Sequence, residues 1–284
     1  MKMKWEIREH SNFGKSLFAD NGTIEVGIPL EYGLRIGHFS LCGGENMFFE
    51  QPKDMVELAT ADGWRVRGGH RLWLAPEGKH DYYPDNDPIS YEILEDGIRI
   101  DQKEDPWLHV KKSITITFGS DNGEDKHCLT VLHKIVNTGT EKFRMSVWPV
   151  TSVAPGGVEH IPLKRYDGGA SHRHRFSTWF YTNLGDARAK YTQDEITLTY
   201  MPVEEKYKLG VGHPLGRAWY EKDGVTFSLN FPVEEDKEYP DGNVSYETYL
   251  CKHMVEMESL SPLTEVLPGE SLEHREVWEL RKSE

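Results

Sequence analysis

Arg217-Ala218-Trp219-Tyr220-Glu221-Lys222-Asp223-Gly224-Val225-Thr226-Phe227-Ser228-Leu229 reads as a β-hairpin. Asp223-Gly224 sits between two strand-like runs, and Asp-Gly suits a type I′ turn, which needs positive φ at both central positions. Asp96-Gly97 stands in the same way between Tyr91-Glu92-Ile93-Leu94 and Ile98-Arg99-Ile100. Period-two alternation recurs in Thr23 to Ile28, Leu129 to Ile135 and Glu195 to Tyr200. Such alternation puts one face of each strand in a core. Only Asp54 to Thr60 reads as a short helix. With no repeat, low-complexity tract or linker, residues 1–284 are expected to form one all-β domain, an antiparallel sandwich or barrel.

The balance of the 284 residues narrows the partners. Asp plus Glu number 47 against 33 Lys plus Arg, giving a net charge of −14. An acidic surface without a basic stripe repels phosphate backbones, so nucleic acid is not expected as a partner. No apolar run approaches the roughly 20 residues that span a bilayer, so no membrane partner is expected. The charged start, Met1 to Glu6, lacks a secretory apolar region. Cys42, Cys128 and Cys251 are odd in number and lack metal-like spacing, which fits reduced thiols in the cytoplasm and no metal or cofactor. A homodimer stays open. Nucleotide-binding glycine loops and the Gly-x-Ser-x-Gly elbow are missing, which argues against nucleotide-dependent and serine-hydrolase chemistry.

Two segments carry chemistry. Gly68-Gly69-His70-Arg71-Leu72-Trp73-Leu74-Ala75-Pro76-Glu77 packs imidazole, guanidinium, indole and carboxylate into ten residues, where a core strand would carry Leu, Val and Ile. An indole can cover the C–H face of a pyranose while Arg, His and Glu bracket its hydroxyls. His80 and the Asp81-Tyr82-Tyr83-Pro84-Asp85 loop follow closely, with Tyr82 at the expected rim. In Met254-Val255-Glu256-Met257-Glu258 the two glutamates share one strand face and Val255 and Met257 the other. Like charges on one face raise a carboxyl pKa and make it a usable acid or base, whereas a solvated acidic face would be inert.

Glu256-Met257-Glu258, Pro268-Gly269-Glu270 and Glu276-Val277-Trp278-Glu279-Leu280 resemble the C-terminal end of galactose mutarotase-like proteins, the aldose 1-epimerase superfamily. The Gly-Gly-His-Arg-Leu-Trp-Leu-Ala-Pro-Glu decamer, Trp148-Pro149-Val150-Thr151, Pro155-Gly156-Gly157 and Lys206-Tyr207-Lys208-Leu209-Gly210 are similar to its DUF4380 branch. The resemblance implies a large antiparallel two-sheet β-supersandwich with a site for a small sugar or sugar acid. It further implies a Glu base on the anomeric hydroxyl and a His that protonates the ring oxygen. Carried over, Glu256 becomes the base with Glu258 as second choice, and His70 the acid. Arg71, Trp73, Glu77, His80, Tyr82, Trp148 and Lys208 become substrate contacts. The chain departs from the family in carrying Glu258 where the epimerases have Gln, and in lacking their Asn-His-Pro motif. Its one His-Pro, His213-Pro214, falls too late. His172-Arg173-His174-Arg175 would place a His pair on one strand face, for a metal or an anionic sugar, or else form a solvated loop. Three classes remain open: an aldose 1-epimerase-like isomerase, a non-catalytic carbohydrate-binding protein, and a glycoside lyase or hydrolase on the same fold.

Overall fold

A computed structural model describes residues 3–55, 57–60, 62–119, 125–165, 173–212 and 215–283. Strands make up 52% of the described residues and helix 3%. A small sheet opens the chain, with β1 (Lys4–His10), β2 (Gly14–Asp20), β3 (Ile24–Pro29) and β5 (His38–Leu41) in the order β1-β2-β3-β5.

Two large sheets follow. The first has eight strands, in the order β13 (Arg175–Thr178), β16 (Tyr207–Gly212), β19 (Tyr246–Leu250), β20 (Val255–Ser259), β11 (Phe143–Val153), β6 (Gly69–Ala75) and β4 (Arg35–Ile36), while β21 (Thr264–Val266) pairs with β11. The second has ten. One half runs β14 (Ala189–Tyr191), β15 (Glu195–Thr199), β12 (Val158–Pro162), β17 (Arg217–Lys222) and β18 (Val225–Asn230). The other half continues with β22 (Ser271–Lys282), β10 (Cys128–Asn137), β9 (Val110–Phe118), β8 (Gly97–Asp101) and β7 (Ser90–Ile93).

Alternation decides what each face does. Leu72, Leu74, Val147, Leu209, Val255 and Met257 of the eight-stranded sheet join Ile114, Val131, Phe227 and Trp278 of the ten-stranded sheet in one core. At its centre Phe39, Phe48 and Phe227 surround Trp278, with ring centroids 5.6–5.7 Å away in tilted and edge-on geometries. The other face of the eight-stranded sheet carries a second cluster that includes Trp64, Trp73, Trp148, Val150 and Met254.

Both hairpins form. Lys222 pairs with Val225, and Asp223 and Gly224 sit at φ 49° and 73°, the left-handed pair that a type I′ turn requires. The other turn is shifted by one residue. Ile93 pairs with Ile98 and Leu94 N–H bonds to Gly97, so Glu95-Asp96 makes the turn and Gly97 starts β8. There a Cβ on Gly97 would lie 1.8 Å from the Ile116 carbonyl oxygen, so the glycine serves strand packing instead.

The described residues of 54–60 form no helix. Met55 N–H bonds to Pro52, then Thr60 bonds to Trp64 and Val66 to Leu58, which makes a turn leading into a looped bridge. Leu58 and Met55 pack against the tryptophan cluster, and that burial outweighs helix propensity in so short a segment. All three cysteines are free thiols. No described helix is long and apolar enough to cross a membrane.

Candidate functional site

The Gly68-Gly69 pair fixes the entry to β6. Both are left-handed, at φ 89° and 70°. A Cβ on either would strike a backbone oxygen, that of Phe49 at 2.0 Å or that of Ile36 at 2.3 Å. The pair is therefore a tight seat between two chain segments. From it, β6 alternates: His70, Leu72 and Leu74 face the inter-sheet core, while Arg71 and Trp73 face the second cluster.

That second face opens into a cavity of about 600 Å³, within the usual range for a small-molecule site. Arg71, Trp73, Glu77, Tyr82, Trp148, Lys208, Glu256 and Glu258 all line it. Four strands, β6, β11, β16 and β20, supply six of them, and Glu77 and Tyr82 come from the segment after β6; β6 pairs with β11, β11 with β20, β20 with β19 and β19 with β16. Trp64, Trp179, Tyr181 and Tyr249 complete the walls. The rings of Trp73 and Trp148 lie 5.3 Å apart, and Trp64 and Tyr82 pack on Trp73 at 5.6 and 5.3 Å.

The two glutamates are held in parallel fashion. Glu256 Oε1 accepts from Arg71 Nη1 at 2.8 Å and from Ser152 Oγ at 2.9 Å. Glu258 Oε2 accepts from Trp148 Nε1 at 2.9 Å and Lys208 Nζ at 3.1 Å. Each carboxylate thus anchors one oxygen and keeps the other clear of these groups. Lys208 also meets Glu247 Oε2 at 2.7 Å, so one ammonium serves two carboxylates. Burial pushes both of those carboxyls up, Glu247 well above the carboxylate range, and Lys208 opposes the rise. Burial works against the Lys208 charge in turn, but Glu258 and Glu247 more than offset it and raise its pKa. The cations also cover rings: Arg71 lies 4.3 Å from the Trp73 centroid, and Lys208 lies 4.7 Å from both Trp148 and Trp179. At the rim Tyr82 donates to Glu77, and burial followed by this contact raises the phenol pKa.

Two expected residues fall elsewhere. His70 is fully buried on the opposite side of β6, with Nδ1 2.9 Å from Thr151 Oγ1 and Nε2 2.8 Å from His133 Nε2. It cannot face Glu256 across the cavity, because neighbours on a strand point to opposite sides. None of the described residues lining the cavity is a histidine. His80 sits behind the wall, with Nε2 3.1 Å from Asp81 Oδ2, and Asp81 contact raises its pKa. In the loop it begins, Asp81 is buried and accepts backbone N–H groups of Leu74 and Gly78, Tyr83 packs on Trp107, and Asp85 pairs with Arg35. Only Tyr82 of that loop reaches the cavity. His174 is exposed and stacks on Phe176, while His172 and His213 lie outside the described residues.

Reasoning from sequence missed Glu247, Ser152, Trp64, Trp179, Tyr181 and Tyr249. For two of them a signal existed. In Tyr246-Glu247-Thr248-Tyr249 the alternation sets Glu247 and Tyr249 on one face, and this strand pairs Glu247 directly with Glu258.

No protein-family model matches the sequence, and no curated protein matches it. Solved structures do. A galactose mutarotase-like protein from Lactobacillus casei superposes with TM-score 0.57 at 12% identity, covering 94% of this chain and 100% of that one. Another from Clostridium acetobutylicum has TM-score 0.57 at 10% identity, covering 99% of each chain. A TPR-domain containing protein from Parabacteroides distasonis has TM-score 0.63 at 13% identity, covering 94% of this chain, which spans 47% of that longer protein. The antiparallel sheets, the shared core and these superpositions agree: the chain has the galactose mutarotase-like fold.

Proposed function

We propose that the cavity binds a carbohydrate and that Glu256 and Glu258 exchange protons at its anomeric centre. The observation that carries this reading is the meeting, in one cavity, of an indole wall with two carboxylates that each anchor a single oxygen. Trp73 and Trp148 offer apolar surface to the sugar ring, and Arg71, Lys208 and Glu77 offer partners to its hydroxyls. Glu256, paired with the Arg71 guanidinium, takes the proton of the anomeric hydroxyl. Glu258, whose carboxyl burial holds above the usual range, gives a proton to the ring oxygen. The bond between the anomeric carbon and the ring oxygen breaks to leave an open-chain aldehyde. Rotation about C1–C2 and the reverse transfers close the other anomer. Alternate residues on a strand stand about 6.6 Å apart, which sets the two carboxyls on one ring. Glu258 takes the part that the resemblance would give to a histidine.

Binding without turnover is the second reading, and the cation already seated on each carboxylate favours it, since such pairing weakens a base. NMR exchange spectroscopy over free aldoses and uronic acids separates the two. Anomer exchange above the buffer rate supports catalysis. Ligand shifts without exchange select the binding reading, and a panel that neither binds nor exchanges sinks both.

A further inference from the structure

On the far side of β6 from the cavity, His70 meets His133 of β10 and Glu276 of β22, all three without measurable exposure. We propose that these residues form a structural site for a divalent transition-metal ion, zinc by its donor set, which staples the two large sheets together. One ligand atom from each lies within 4.8 Å of the others. The two imidazoles aim their Nε2 atoms at one another, 2.8 Å apart, and Glu276 Oε2 stands 4.0 Å from that of His133.

The hydrogen positions follow from the outer partners. His133 Nδ1 faces the backbone carbonyl of His274 at 3.0 Å. A carbonyl only accepts, so the hydrogen sits on Nδ1 and Nε2 presents a lone pair. His70 Nδ1 faces Thr151 Oγ1 at 2.9 Å, and that hydroxyl accepts equally well, which frees its Nε2 too. Ligand histidines are oriented in this way, with the second ring nitrogen donating to an oxygen behind it. In the alternative tautomer Thr151 donates to His70 Nδ1 and His70 Nε2–H donates to His133 Nε2, and a metal ion would take the place of that hydrogen.

Glu276 supplies a third donor. Its hydrogen bonds come from neutral donors, Ser259 Oγ at 2.6 Å and Trp278 Nε1 at 2.8 Å, and none of its ion pairs involves a lysine or arginine. Burial raises this carboxyl to about 7, so a cation would bind here by displacing its proton. Zinc would take both Nε2 atoms at about 2.0–2.1 Å and the carboxylate through one or two oxygens, with the nitrogens opening to about 3.3 Å. A half-buried cluster of two histidines and a glutamate, His10, His38 and Glu50, fails on its hydrogen positions. There His10 Nδ1 accepts from the backbone N–H groups of Asn12 and Phe13, so its Nε2 holds a hydrogen toward Glu50.

Elemental analysis of the purified full chain, grown with added zinc, tests the site. About one zinc per chain should survive dialysis against EDTA and leave only on unfolding in guanidinium with EDTA. His133→Gln and Glu276→Gln should each bring the content below about 0.1 per chain, while His10→Gln should leave it unchanged. Should the core variants not fold, the unaltered chain refolded with cobalt(II) should show the visible absorption of a tetrahedral ion bound by nitrogen and oxygen. A folded, metal-free chain whose melting temperature ignores zinc during refolding overturns the proposal. So does zinc that persists in folded His133→Gln and Glu276→Gln.

Discussion

The two faces of the eight-stranded sheet bury carboxylates by opposite means. On the cavity face Glu256 sits against Arg71, while Glu258 and Glu247 share Lys208. On the core face Glu159 of β12 reaches across to Tyr246 Oη and Thr248 Oγ1, each at 2.5 Å, with no cation among these contacts. Burial lifts its carboxyl to about 8, against the pull of both hydrogen bonds. Cations thus stand beside the carboxyls where the chain opens to a ligand, while the core carboxyl Glu159 is held in its neutral form without one. The difference separates carboxyls that face a cavity with a cation beside them from one that ties two sheets together.

The sharpest break in that comparison is Glu256→Gln, which keeps size and hydrogen bonding but removes the carboxylate proposed as the base. Anomer exchange, read by NMR, should fall about 10²–10⁴-fold with little change in binding. If Glu258→Gln is equally deep while Glu256→Gln is silent, the roles of the two are exchanged. Next comes Lys208→Met, which strands Glu247 and Glu258 without their ammonium. Guanidinium unfolding should show a loss of about 3–5 kcal/mol, the cost of an uncompensated buried charge. A wild-type midpoint would mean that those carboxyls are already neutral.

The core face also answers to pH. Glu159 is protonated in the folded chain up to about 8, while in the unfolded chain it ionises near its ordinary value of 4.5. Its contribution to stability is therefore full below 4.5 and is lost as pH rises through 8. Glu159→Gln should flatten the decline in stability between those limits, measured as denaturation midpoints across pH. An unchanged slope would place the titration elsewhere. The smallest effect is expected for Arg71→Ala, which should weaken sugar binding by about 1.5–3 kcal/mol, seen by calorimetry, if the guanidinium makes a charged bond to the ligand.

Much of this was legible in the sequence. Alternation revealed the strands, both hairpins and the shared orientation of Glu256 and Glu258, because period two is a property of the backbone alone. The same rule, applied within the decamer, separates His70 from Arg71. Grouping those residues by chemical density overrode it and put an imidazole on the wrong face. Trp64, Trp179 and Tyr181 were out of reach for a different reason. They arrive from loops whose path depends on tertiary packing, and no periodicity marks them.

The alternation in β6 also limits how this region can change. A substitution at His70 or Arg71 alters one face at a time. Deleting or inserting one residue after Gly69 would swap every side chain, driving Arg71 into the sandwich interior and Leu72 into the cavity. The Asp223-Gly224 turn stands apart from both faces, and nothing lies within 4 Å of a Cβ on Gly224. Added residues should be absorbed there, so length variation among relatives, or an inserted tag, belongs at that turn and not in the strand between the two sites.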